Sequence, residues 1–201
     1  MNHKVTNVTK LHEDAFALYE QAVRGNADSI LDNLYMGVEN LKANWKGKDA
    51  GLQIQNVVLV YNAMVALRNA LAEFAVDSSK VAANYREIQN SNGAGLETLS
   101  VLSFEAKTTM ADYSDMNDTI NINAEVNTGK AKVEAARDAI EGFMSKAEAY
   151  YNEIRQNWQS GTGVESAQDA FETFKSSVTN YKTILSDVSA NISTALANYT
   201  M

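Results

Sequence analysis

Apolar residues recur at intervals of three and four through most of this 201-residue chain. Leu11, Ala15, Leu18, Ala22, Leu31, Leu34, Val38 and Leu41 make one such stripe, the spacing that sets side chains on one face of a helix. Extended along the chain, the pattern predicts four long helices: from Thr9 or Lys10 to about Asn44, from about Asp49 to Gln89 or Asn90, from between Asn123 and Thr128 to Asn157, and from about Val164 to Tyr199. Gly25-Asn26 is compatible with a smooth rod and equally with a kink followed by a restart capped by Asp28 or Ser29. There is no proline, and paired glycines (Gly47 and Gly51, Gly93 and Gly95, Gly161 and Gly163) mark the expected breaks. Val57 to Leu67, interrupted only by Asn62, is apolar on nearly every face. It reads as the most buried segment of a bundle or as a patch covered by a second chain, and it falls short of the roughly 20 residues that span a bilayer.

The two tryptophans both follow asparagine, at Asn44-Trp45 and Asn157-Trp158, and each precedes a glycine, Gly47 and Gly161. Each Trp-Gly element stands between two helical stretches, so each reads as the corner of a helical hairpin. The tryptophans are 113 residues apart, and that offset sets Ile30, Leu31, Leu34, Val38 and Leu41 on Phe143, Met144, Ala147, Tyr151 and Ile154. Downstream it sets Val58, Tyr61 and Val65 on Phe171, Phe174 and Val178. Duplication of a fold unit would leave this pattern, and two unrelated helical pairs could share it by chance.

Between the hairpins, Leu96, Leu99, Leu102, Ala106, Met110 and Tyr113 recur at steps near three and four, which predicts a connecting helix over about 96–113. Hairpins with both corners at one end would need only a few connecting residues, whereas antiparallel hairpins need a connection that runs the length of the bundle. Residues 93–122 have that length. The expected fold is therefore all-α: an elongated antiparallel four-helix bundle of two hairpins, residues 1–92 and 123–201, joined by an acidic, partly helical linker over 93–122 with its connecting helix laid along the outside.

Charge and composition narrow the function. The net charge is −8, and the acid excess is densest at 93–118, with five acids and one lysine. Such a chain lacks the Lys/Arg cluster that a nucleic-acid surface needs. No cysteine is present, so disulfides and thiolate metal sites are excluded. Met1 to Glu20 carries polar residues throughout and has no apolar core of a secretory signal peptide. The two histidines, His3 and His12, form no Glu-x-x-His pair, and His12-Glu13-Asp14 are adjacent residues that point to different helix faces. No phosphate loop or nucleophile arrangement occurs. Asp112, Asp115 and Asp118 read as residues that keep a linker solvated. No enzyme, cofactor or metal site is expected.

Trp45-Lys46-Gly47 between two long amphipathic helices resembles the WXG superfamily, the early secreted antigen type of small helical hairpins associated with type VII secretion. The second copy, Trp158-Gln159-Ser160-Gly161, has one residue more before its glycine, and Ile120-Asn-Ile-Asn-Ala-Glu-Val resembles the opening of a family unit. The resemblance implies antiparallel pairing of hairpins, here fused in one polypeptide, and a non-enzymatic substrate, partner or targeting module of a type VII (ESX-like) apparatus. It implies export without a Sec signal peptide, or a cytoplasmic pool before export. It also implies protein partners, such as the secretion ATPase or another WXG-like protein, with Trp45, Gly47, Trp158 and Gly161 as turn and recognition residues. Family export signals contain a tyrosine followed four residues later by an acid. Here Tyr85-Arg-Glu87-Ile-Gln89 stands 40 residues past Trp45 but ends in glutamine, and Tyr199 is its counterpart in the second unit. Two other readings compete: a membrane-active helical toxin component that releases Val57 to Leu67, and an intracellular scaffold.

Overall fold

A computed structural model describes residues 4–158 and 162–199. The helices are α1 (Val8–Ala17), a π-helix (Leu18–Ala27), α2 (Asp28–Asn44), α3 (Lys48–Ser91), α4 (Val126–Asn157) and α5 (Thr162–Tyr199), and their packing makes the protein all-α. Asn7 caps α1 by accepting the Lys10 N–H at 3.0 Å. Gly25 and Asn26 lie inside the π-helix, whose wider turns take up more residues per unit length than an α-helix does. Two short strands, β1 (Trp45–Lys46) and β2 (Asn121–Ile122), pair antiparallel with Trp45 opposite Ile122.

The chain divides into two compact units, each assembled from both halves of the sequence. The first comprises residues 1–27, 66–107 and 143–175; the second, residues 28–65, 108–142 and 176–201. In the first unit Leu11, Leu18, Phe74, Phe143 and Ile154 are buried. Phe74 stacks on Trp158 at 5.9 Å and meets Tyr151 at 5.2 Å, and Tyr151 stacks on Phe171 at 5.8 Å. In the second unit Leu34, Leu41, Ile54, Val133, Ile140 and Leu185 are fully buried. Each such side chain contributes roughly 1.5–3 kcal/mol by leaving water.

The corner of one hairpin meets the open end of the other within each unit. In the first unit Val5, ahead of α1, forms an isolated antiparallel bridge with Trp158, and the Thr6 N–H donates to the Asn157 carbonyl at 3.1 Å. In the second, Trp45 pairs with Ile122, ahead of α4, and the Asn123 N–H donates to the Asn44 carbonyl at 3.2 Å. This is the antiparallel pairing that the linker length favoured.

The connecting helix expected over about 96–113 does not form; the segment carries no helical structure from 94 to 117. It runs as an extended strap along α3, and amide side chains of that helix hold its backbone. In the first unit Asn69 donates to the Lys107 carbonyl at 2.8 Å and accepts the Lys107 N–H at 3.0 Å. Asn90 clamps the carbonyl and N–H of Leu96 at 2.8 and 2.7 Å, and Ser79 accepts the Leu102 N–H at 3.0 Å. In the second unit Asn62 clamps both groups of Met110 at 3.0 and 2.8 Å, and Gln55 accepts the Tyr113 N–H at 2.6 Å. Asn62 and Gln55 are seven helical residues apart, about 10 Å, and three residues of extended chain cover nearly the same distance. Lys107, Met110 and Tyr113, all half-buried, follow that three-residue step. The steps in the linker were therefore those of a threefold extended chain, which over so short a run imitates helical spacing.

Candidate functional site: the Trp45 corner

The Trp45 corner lies in the second unit, where α2 ends in Asn40-Leu-Lys-Ala-Asn44 and β1 turns the chain into α3. Gly47 has φ +111°, a left-handed conformation that disfavours residues with a Cβ, and this explains the glycine of Trp-x-Gly. The first N–H groups of a helix need acceptors, and no Ser, Thr or Asp stands at this cap. The linker supplies them: the Asp115 carboxylate accepts the Gly47 N–H at 2.9 Å, and the Asn117 carbonyl accepts the Lys48 N–H at 3.1 Å. Asn117 also donates to Asp115 from its backbone at 3.0 Å and from its side chain at 2.7 Å. These bonds, the one from Gly47 foremost, hold the Asp115 carboxyl below the usual carboxylate range. Lys48 pairs with Asp118. Asp115, read from sequence as a solvating residue, is instead the buried cap of the 44-residue α3. The linker passes so close that a Cβ on Gly51 would lie 2.5 Å from the Asp115 nitrogen.

On its other side the corner opens on a cavity of about 300 Å³. Trp45, Asp49 and Gln53 form one wall, and Asn191, Asn198 and Tyr199 of α5 form the other. Trp45 is 2% exposed, whereas Tyr199 is 53% exposed. Gln53 is 9% exposed, and its Oε1 is buried without a hydrogen-bond partner among the described residues. Gln53 carried no signal in the sequence, because an amide on an amphipathic helix looks like any solvent-facing residue.

The structure thus brings together Trp45 and Tyr199, with Gly47 at the turn beside them. Trp158 belongs to the first unit, 2% exposed against Phe74. Gly161 lies outside the described residues. Tyr85, half-buried, and the exposed Glu87 and Gln89 lie in the first unit within α3. Where the export pattern expects an acid, Gln89 accepts the Arg86 Nε–H at 3.2 Å. Arg86 also donates to the Glu97 carbonyl at 2.8 Å and to the Thr9 hydroxyl at 2.7 Å, a buried clamp that sequence reading did not single out. The trio at the N-terminus separates as the helix geometry requires. His12 meets the Ser100 carbonyl at 2.8 Å and Phe16 at 4.5 Å, Glu13 has no part in these contacts, and Asp14 is buried against Lys10.

The fold and this corner define an all-α protein of packed helices in which a Trp-x-Gly element turns α2 into α3. The family model WXG100, proteins of 100 residues with WXG, matches residues 119–201, so this part of the chain is similar to the WXG superfamily. The family is linked to type VII secretion substrates. No curated protein and no solved structure matches the chain.

Proposed function

We propose that this protein is a non-enzymatic type VII (ESX-like) secretion substrate, partner or targeting module, in which residues 1–92 form a second WXG-like hairpin fused through 93–122 to the unit at 123–201. The observation that carries the reading is the shared cavity of Trp45 and Tyr199: the turn motif of the first hairpin and the terminal tyrosine of the second meet in one place. The fused architecture is supported by the equivalent bridges of Trp45 and Trp158, each made to the segment preceding the other hairpin's first helix. Recognition by a protein partner, such as the secretion ATPase or another WXG-like protein, then uses the Trp45 corner, and export needs no Sec signal peptide. The test compares culture supernatants of cells with and without the type VII ATPase, using the intact chain and Tyr199→Ala. The reading expects ATPase-dependent release that Tyr199→Ala reduces. Equal release without the ATPase would overturn it.

A membrane-active reading has one observation in its favour. α3 contains an 18-residue window of mean hydropathy 1.4, of which 61% is buried, a property shared by core helices of bundles. Dye leakage from liposomes separates the two, since the secretion reading expects none.

A further inference from the structure

We propose that the cavity beside Trp45 receives the guanidinium group of an arginine side chain from a protein partner; the inference rests on the reading of this corner as a recognition surface. Several acceptors line the cavity. Asp49, exposed at its rim, provides a carboxylate, and among the described residues no lysine, arginine or histidine lines it. The two lysines that flank Gly47 are already engaged, Lys48 with Asp118 and Lys46 with the Lys42 carbonyl. Gln53, 9% exposed, keeps a buried carbonyl oxygen without a partner among the described residues. A buried acceptor left without a donor is destabilising, and a donor entering the cavity relieves it. The terminal torsion of glutamine is soft, so the amide can turn its oxygen onto such a donor.

Geometry selects guanidinium over ammonium. The acceptors lie on two walls, Asp49 and Gln53 on one and the Asn191 and Asn198 amides on the other, and a planar fork with five N–H donors reaches several at once. Tyr199 adds a half-exposed ring on which a guanidinium plane can rest. At about 300 Å³ the cavity is at the small end for a free ligand and suits one long side chain presented by a larger molecule. The net charge of −8 favours approach of a basic partner surface.

The probe is Nα-acetyl-L-arginine amide, added to the full-length protein labelled with ¹⁵N, with the two indole N–H signals assigned through Trp158→Phe. Saturable movement of the Trp45 indole and the Gln53 side-chain amide is expected. Asp49→Asn, at an exposed position, should weaken binding by about tenfold or more, as loss of a charge-assisted pair does. Gln53→Met should weaken it as well, with circular dichroism showing both variants folded. Three results would overturn the inference: no saturation, equal binding of the neutral citrulline analogue, or Asp49→Asn binding as the parent does. Tighter binding of free arginine than of the amide would assign the site to a small molecule and also overturn it. ATPase-dependent release without arginine binding would sink this inference alone. Arginine binding by a protein whose release ignores the ATPase would sink the secretion reading alone.

Discussion

The Asp115 carboxylate accepts the backbone N–H of Gly47 across 68 positions of sequence, at 2.9 Å, and so closes the Trp45 corner from the linker side. The bond joins a helix start that has no cap of its own to a strap that has no secondary structure of its own. Neither is explained without the other.

Because the folded-state pKa of Asp115 is depressed, its contribution is present above the unfolded value of about 3.9 and is lost as pH falls through the folded value. Asp115→Ala should therefore lower the thermal midpoint at pH 7. The gap from the parent should narrow as melts are taken from pH 4 downward. A gap that stays constant below pH 4 would show that the capping bond is not what the residue contributes.

Gly51→Ala tests the closeness of the strap. Helix propensity alone favours alanine by about 1 kcal/mol. The added Cβ, however, would sit 2.5 Å from the Asp115 nitrogen, a backbone atom held by the cap. Overpacking of this kind costs about 1–3 kcal/mol, so denaturant titration should show a net loss. A gain in stability would mean that the strap moves aside freely.

The two tryptophans are 2% exposed, so truncation of either should cost roughly 3–5 kcal/mol. Phe74→Leu should lower stability through the Trp158 stack and leave the Trp45 indole signal unmoved, since Phe74 and Trp158 share the first unit while Trp45 belongs to the second. A loss below about 1 kcal/mol for either Trp→Ala variant, read by chemical unfolding, would contradict the burial.

Asn62→Ala removes two bonds to one strap residue, each worth about 0.5–1.5 kcal/mol. Hydrogen exchange at the Met110 amide should speed up, and exchange in the α3 backbone should change little. Unaltered protection at Met110 would mean that the clamp does not hold the strap.

Asp14 titrates with the opposite sign. Burial raises its carboxyl above the usual range, with Lys10 opposing and Glu153 adding to the rise, and its Oδ2 has no partner among the described residues. Stability from this residue is full below the unfolded value of about 3.9 and is lost as pH rises through the folded one. Asp14→Asn should raise the thermal midpoint at pH 7, with the gain fading toward pH 4. A lower midpoint at pH 7 would show that the Lys10 pair outweighs the burial.

The sequence by itself determined the helices and the Trp45 corner, and it favoured the antiparallel pairing. Apolar spacing along tens of residues, the absence of proline and the two Trp-Gly elements all act locally, and the length of the linker limited how the hairpins could meet. It also marked Trp45, Gly47 and Tyr199, though not that Tyr199 lines a cavity with Trp45. Tertiary structure alone decided the state of the linker. Leu102, Met110 and Tyr113 suit a helix or an extended chain equally, and the choice fell to Asn62, Asn69 and Asn90, whose amides satisfy the strap backbone in the extended form. It likewise decided the roles of Asp115, Arg86 and Gln53. A polar side chain gains its meaning from a partner distant in sequence, and no periodicity along the chain records which partner that is.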